Sequence, residues 1–120
     1  MARVAALIPD LLFGSKVQAA LEQAGHEVDL LSSEPDVWEQ SSGIDVLVVD
    51  LTTDALDGVG IVDSLKSGGE LHGIRVLGFF AHVEPEVRER ALAAGFDQVV
   101  PRSRMHREGA ALVSALAAGR

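Results

Sequence analysis

The chain of 120 residues contains no cysteine and no tyrosine, one tryptophan and four phenylalanines. Without cysteine it can form no disulfide, no thiolate metal site and no cysteine nucleophile, which fits a reducing compartment. The scarcity of aromatic side chains leaves the core to aliphatic residues. The apolar run at the amino terminus stops at Pro9, so it is too short for a signal or membrane segment. We therefore expect a single cytoplasmic domain spanning residues 1–120, with no membrane association.

Basic residues are also in short supply, with 10 Lys and Arg against 18 Asp and Glu and a net charge of −8. Because affinity for nucleic acid comes mainly from Lys and Arg contacts with phosphates, this balance argues against nucleic acid as the main partner. The deficit is uneven, since the residues from Pro101 onward include four arginines and one glutamate. The cluster of Arg102, Arg104 and Arg107 is usually a solvated helix entrance, and its alternative is a patch for an anion or a partner.

Short apolar segments alternate with helical patterns along the chain. Strand-like segments lie at residues 3–8, 27–31, 44–50, 74–81 and 98–100. Apolar residues at helical spacing predict core faces between them, formed by Val17, Ala20, Leu21 and Ala24, by Ile61, Val62 and Leu65, by Val87, Ala91 and Ala94, and by Leu112, Val113 and Leu116. Residues 32–43, which include Pro35, predict a loop with at most a short helix around residues 37–40.

This alternation predicts an α/β fold in which right-handed crossovers place helices on both faces of a parallel sheet. For five strands we expect the flavodoxin-like three-layer sandwich with strand order 2-1-3-4-5. Residues 44–50 form a nearly unbroken apolar run that ends on Asp50, which predicts the central strand. Strands one and three are neighbours in this order. Asp10 and Asp50 are therefore expected to face the same crevice at the carboxyl edge of the sheet.

The order and spacing of these segments resemble the receiver domains of two-component response regulators, the CheY-like family. Residues 50–58 run from Asp50 to Asp57-Gly58, similar to the family's phosphoacceptor strand end and the loop that follows it. Residues 94–101 resemble the family's approach to its last strand. The resemblance covers essentially the whole chain and implies that Asp50 occupies the phosphoacceptor position.

The chain departs from the receiver pattern at three places. Receivers carry a pair of acids at the end of strand one to hold Mg²⁺, and the matching stretch here is Ile8-Pro9-Asp10. They carry Thr or Ser at the end of strand four, where this chain has Phe80 followed by Ala81. They carry Lys after the last strand's apolar pair, where this chain has Pro101 with Arg102 next to it.

Only Asp50 matches the pattern cleanly. Because phosphoryl transfer depends on positioning and charge neutralisation, these departures predict a degenerate receiver, or pseudo-receiver. It would be a stand-alone module for signal transduction and protein interaction, with no enzymatic activity and no cofactor. The expected partner is a protein, such as a histidine kinase or an output protein, or a second copy of the chain.

Two alternatives remain open from the sequence. In the first, the chain is a true response regulator that is phosphorylated on Asp50, with a weak Mg²⁺ site formed by Asp10 and Asp50. In the second, it is a regulatory domain that binds an anion or small molecule through Arg102 and Arg104.

In the pseudo-receiver interpretation the candidate residues have structural roles. Asp50 caps amides of the loop at residues 52–53, and Asp10 caps the helix that follows Pro9. Phe80 packs in the core or, if its ring points into the crevice, fills the space that a phosphoryl group needs.

Two further features have alternative interpretations. The four histidines lack ligand spacing and are expected to be solvated or locally bonded, with a phosphate or metal role as the alternative for His82. The apolar run at residues 11–13 either folds over the end of the core or docks a partner or a second copy.

Overall fold

The strand that ends on Asp50 lies in the middle of the sheet and is buried along its whole length. The computed structural model describes residues 2–81 and 85–119. This strand is β3 (Val46–Asp50), and all five of its residues are buried. It pairs in parallel with two neighbouring strands, β1 (Arg3–Leu7) and β4 (Arg75–Phe80). A strand that is covered on both faces and paired on both sides must be apolar almost throughout, as this one is.

The remaining elements complete a parallel sheet with order β2-β1-β3-β4-β5. They are α1 (Leu11–Gln23), β2 (Glu27–Leu31), α2 (Glu34–Gln40), α3 (Gly58–Ser67), α4 (Pro85–Ala94), β5 (Gln98–Pro101) and α5 (Arg102–Ala118). The predicted flavodoxin-like architecture and strand order are confirmed. No helix of the described ranges has the length and apolar character needed to cross a membrane.

The two faces of the sheet have separate cores. One core joins the sheet to α1 and α5 and includes Phe13, Phe79 and Met105. The other joins it to α2, α3 and α4 and includes Val37, Ile61 and Phe80. Because successive side chains of a strand point to opposite faces, consecutive residues such as Phe79 and Phe80 lie in different cores.

The segment between β2 and β3 is more regular than the sequence indicates. Instead of a loop with a short helix at residues 37–40, α2 begins at Glu34 and is followed by a 3₁₀ turn at Ser41–Gly43. Pro35 fits this helix because its missing N–H is not needed in the first turn. Glu34 also accepts a hydrogen bond from the indole N–H of Trp38, one turn later.

The other elements differ from the predictions mainly at their ends. Strands β1, β3 and β4 are shorter than predicted, so that Ile8 and Ala81 lie just outside β1 and β4. Strand β5 extends one residue further, to Pro101, and α5 begins directly after it. Glu84, directly before α4 in the sequence, lies outside the described residues.

His26 is the one histidine in the described ranges that is buried. Its Nδ1 accepts the backbone N–H of Ala2 at 3.1 Å, and its Nε2 lies 2.9 Å from the hydroxyl of Ser114. Since Nδ1 accepts, Nε2 carries the proton and donates to Ser114. This side chain therefore ties the start of β1 to α5, a long-range structural role that the sequence does not reveal.

Gly78 provides the space for a close contact on the α3 and α4 face of β4. A Cβ at this position would lie 2.7 Å from Cε2 of Phe96 and 3.0 Å from Cδ1 of Leu51. Both neighbours belong to the packed core on that face. The ring of Phe96 therefore requires a residue without a Cβ at this position.

We expect Gly78→Ala to lower the free energy of unfolding by about 1–3 kcal/mol, because the added methyl group overpacks the core. The matched control is Gly43→Ala, where a Cβ would meet nothing within 4 Å. That variant should lie within about 1 kcal/mol of the wild type. Urea unfolding measures both values, and an equal effect of the two substitutions would contradict the role assigned to Gly78.

Candidate functional site

Asp50 is the last residue of β3 and only 2% exposed. The alternation along β3 places its side chain on the same face as Val48, the face covered by α1 and α5. Immediately after it, the backbone N–H of Leu51 donates to the carbonyl of Phe79 at 2.8 Å. The carboxylate is therefore held at the carboxyl edge of the sheet by regular strand pairing.

One oxygen of Asp50 is occupied by the loop that follows it. Oδ1 accepts the backbone N–H of Thr52 at 2.7 Å and the hydroxyl of Thr52 at 2.6 Å. A side chain that bonds the backbone two residues on forms an Asx turn, which fixes the loop after the strand. The expected bond to the Thr53 amide is not formed, and Thr53 instead accepts the N–H of Ala55.

The second oxygen of Asp50 has a different environment. No residue in the described ranges donates a hydrogen bond to Oδ2. Every fully buried side-chain oxygen in those ranges does have a partner, so Oδ2 keeps a small solvent-accessible area. One oxygen of Asp50 is therefore held by Thr52, and the other has slight access to solvent.

The nearest positions on the neighbouring strands are apolar. Asp50 is in register with Phe79 on β4, and Leu7 is in register with Val49, which places Ile8 beside Asp50 on the other side. Both Ile8 and Phe79 are fully buried in the core shared with α1 and α5. The ring of Phe13 covers this core from α1, with its centroid 5.2 Å from that of Phe79.

The structure places Phe80 away from this surface. Phe80 packs in the core on the α3 and α4 face, together with Val49 and Phe96. The rings on the Asp50 side are Phe13 and Phe79, neither of which the sequence identifies as part of the site. Strand alternation is the signal that could have separated Phe79 from Phe80, because Asp50 and Phe79 share a register position. Ala81, the other candidate switch position, is exposed.

Asp10 is the N-cap of α1. Its Oδ1 accepts the backbone N–H groups of Leu12 at 3.0 Å and Phe13 at 3.2 Å. Its Oδ2 lies 3.5 Å from a guanidinium nitrogen of Arg102. Both oxygens of Asp10 are therefore engaged within the protein.

The donor set fits a Mg²⁺ ion poorly. Mg²⁺ needs near-octahedral oxygen ligands at short distances, and Asp10 would have to give up Arg102 to supply one. Within residues 2–81 and 85–119, no three His, Asp or Glu side chains are grouped closely enough to hold a metal ion. His82 lies outside the described residues.

Arg102 is the cation at the crevice edge, and Pro101 lies next to it as the end of β5. Arg102 is the first residue of α5, and its guanidinium carbon lies 4.2 Å from the centroid of the Phe13 ring. It therefore makes both an ion pair with Asp10 and a cation–π contact with Phe13. The other two arginines of the cluster, Arg104 and Arg107, both pair with Glu108.

The apolar run at the start of α1 is divided between core and surface. Phe13 is buried, whereas Leu11 and Leu12 are 70% and 71% exposed. They are the two most exposed large apolar side chains in the described part of the chain. An exposed leucine pair next to the crevice is a candidate contact surface for another protein.

Comparison with known proteins supports the assignment of the fold and family. No family model matches the sequence, and no curated protein matches it. Among solved structures, the signal receiver domain of the response regulator NarL from Mycobacterium tuberculosis has a TM-score of 0.83 and 25% identity, covering 99% of this chain and 98% of that one. The chemotaxis response regulator CheY4 of Vibrio cholerae has a TM-score of 0.84 and 17% identity, covering 97% and 98%.

A third similar structure is an atypical orphan response regulator. It has a TM-score of 0.79 and 19% identity, and it covers 96% of this chain and 94% of that one. That protein is described as having a phosphorylation-independent regulatory mechanism. With the strand order and the end of β3 at Asp50, the likeness to NarL over nearly the full length of both chains shows that this chain has the CheY-like receiver fold and is similar to the receiver domains of response regulators.

Proposed function

We propose that the chain is a pseudo-receiver, a signalling and protein-interaction module that does not use phosphorylation of Asp50 as its switch. The observation that carries the proposal is the apolar wall beside Asp50. Phe79 on β4 and Ile8, directly after β1, lie on either side of Asp50 and on the same face as the carboxylate. At the position where receivers carry a hydroxyl, Phe80 is buried in the opposite core.

The chemistry of phosphoryl transfer explains why this wall matters. The transferred group carries negative charge on its oxygens throughout, so catalysis depends on cations and hydrogen-bond donors placed around it. Buried hydrocarbon next to Asp50 supplies neither. A phosphoryl group on Asp50 would also lose solvation on that side, which is unfavourable for a dianion.

Arg102, the arginine at the start of α5, is already engaged. Arg102 contacts both Asp10 and Phe13, so it would have to leave these partners to reach a phosphoryl group. Asp10 likewise uses one oxygen to cap α1 and the other to pair with Arg102. Asp10 and Arg102 therefore pair with each other and with the start of α1, and they are not arranged around an incoming anion.

The phosphorylation-independent mechanism described for the atypical orphan regulator is consistent with this proposal. It belongs to that protein, but it indicates that a fold of this kind can serve regulation without a phosphoryl switch. We infer that this chain signals through contacts with a protein partner, such as a kinase or an output protein, or through self-association.

A phosphorylated regulator is the second candidate, and one observation favours it. Oδ2 of Asp50 has no donor in the described ranges and keeps a small solvent-accessible area, so it could act as a nucleophile toward a small phosphodonor. The anion-binding alternative has less support, because Arg102, Arg104 and Arg107 all pair with carboxylates.

We expect the wild-type chain to remain unmodified when incubated with acetyl phosphate and Mg²⁺, because Ile8 and Phe79 beside Asp50 cannot neutralise the charge that develops there. Intact-protein mass spectrometry and phosphate-affinity gels measure this directly. The control is Asp50→Asn, which has nearly the same shape and no nucleophilic carboxylate. An acid-labile phosphate that forms on the wild type and is lost in Asp50→Asn would overturn the proposal.

Mg²⁺ titration provides an independent test of the donor set. We expect no saturable binding to the wild type, and the same result for Asp10→Ala, since Asp10 is occupied by the α1 amides and Arg102. Pro9→Asp adds a second acid beside Asp10 and should increase Mg²⁺ affinity if the missing acid limits binding. Saturable wild-type binding that disappears in Asp10→Ala or Asp50→Ala would favour the phosphorylated regulator.

Leu11 and Leu12 should contribute little to the stability of the isolated domain, because they are already exposed to solvent. We expect Leu11→Ser combined with Leu12→Ser to change the free energy of unfolding by about 0.5 kcal/mol or less per site. Phe13→Ala, at the buried position next to them, should cost about 3–5 kcal/mol. Urea unfolding compares the variants. A loss of more than about 2 kcal/mol in the leucine variant would show that the pair serves the fold rather than a partner.

A further inference from the structure

Side chains from distant parts of the chain join the starts of α1 and α5 across the carboxyl edge of the sheet. Arg102 at the start of α5 contacts Asp10 and Phe13 at the start of α1, although 92 residues separate Arg102 from Asp10. We call Asp10, Phe13 and Arg102 the clamp. The two helices lie side by side in the same core, so the clamp closes the end of an existing contact.

Each member of the clamp has two contacts. Asp10 caps α1 with Oδ1 and receives Arg102 with Oδ2. The Phe13 ring contacts the Arg102 guanidinium, 4.2 Å from the ring centroid, and the Phe79 ring, whose centroid lies 5.2 Å from that of Phe13. Loss of Arg102 would therefore affect both the first turn of α1 and the contact between the two rings.

The contact between Phe13 and Phe79 links the clamp to the candidate site. Phe79 is in register with Asp50 and on the same face of the sheet. A displacement of Phe13 would expose Phe79 and open the crevice beside the carboxylate. The same first turn of α1 carries Leu11 and Leu12, so the clamp also fixes how the exposed leucine pair is presented.

The contacts of Arg102 are weak enough to form and break reversibly. The Arg102–Asp10 distance of 3.5 Å is long for an ion pair, and the two side chains are 44% and 48% exposed. Partly exposed ion pairs of this kind are weak and sensitive to salt, and a partly exposed cation–π contact is of similar strength. The clamp can therefore open without unfolding the sheet.

We propose that the clamp is a conformational switch that replaces phosphorylation. When it is closed, it covers the crevice beside Asp50 and fixes the position of Leu11 and Leu12. When it is open, the crevice is uncovered and the leucine pair can move. This inference rests on the proposed function for its regulatory meaning. The contacts among Asp10, Phe13 and Arg102 do not depend on that function, and they can be tested separately.

The test uses the four phenylalanines of the chain as reporters. The full chain is labelled with 4-fluorophenylalanine and followed by fluorine NMR, with four expected resonances. Phe13 and Phe79 report on the clamp side, whereas Phe80 and Phe96 lie in the opposite core and serve as internal controls. Solvent exposure of each ring is measured from the resonance shift between H₂O and D₂O.

In Arg102→Gln we expect the Phe13 and Phe79 resonances to move and their solvent isotope shifts to increase, while Phe80 and Phe96 stay unchanged. Asp10→Asn should change them in the same direction but less, because Asn can still cap α1 while its charge is lost. Raising the salt from 0.1 M to 1 M should act on the wild type like Asp10→Asn, since screening weakens the ion pair. Arg102→Lys keeps the charge but not the flat guanidinium and should give an intermediate result.

The matched control is Arg104→Gln, which removes an arginine of α5 that pairs only within its own helix. It should leave all four resonances in place. Unchanged Phe13 and Phe79 signals in Arg102→Gln, or equal changes in Arg104→Gln, would overturn the clamp. All these spectra are recorded without a phosphodonor, whereas phosphorylation of wild-type Asp50 is tested in separate samples. Phosphorylation there would overturn the proposed function and leave the comparison of the variants unaffected, so the two failures are distinguishable.

Discussion

The burial of β3 on both faces is the constraint on which the rest of the structure depends. A central parallel strand must have helices above and below it, and the chain supplies α1 and α5 on one face and α2, α3 and α4 on the other. Once both faces are filled with hydrocarbon, polar chemistry is confined to the residue at which the strand ends. Asp50 is that residue, and its neighbours decide whether its carboxylate can act.

A carboxylate at the end of a buried strand is costly unless it is solvated or hydrogen-bonded. Here Thr52 satisfies one oxygen with two donors, and the other keeps a small solvent-accessible area. The two bonds from Thr52 hold the side chain of Asp50 in place. The acid therefore contributes to the structure of the loop after β3, which gives a physical reason for its presence that does not depend on phosphorylation.

The sequence predicts the architecture well because it is set by local patterns. Apolar runs and helical stripes, together with the rules for crossovers, are sufficient for five strands in the observed order. The site is less predictable. Whether Phe79 or Phe80 faces Asp50 depends on the register between β3 and β4, and the pairing of Asp10 with Arg102 depends on how α1 and α5 pack. Neither relation is visible in spacing along the chain, and the burial of His26 against Ser114 is missed for the same reason.

The residues that distinguish this site from the receiver pattern also stabilise the scaffold. Ile8 and Phe79 fill the space beside Asp50 with well-packed hydrocarbon, and Asp10 satisfies the amides at the start of α1. Active sites commonly sacrifice stability for polar groups held close together, and replacing such groups with apolar ones recovers it. Under the proposed function the chain has no covalent switch, and a change of state depends on contacts that are weak enough to open. The ion pair and ring contact of Arg102 are of that kind.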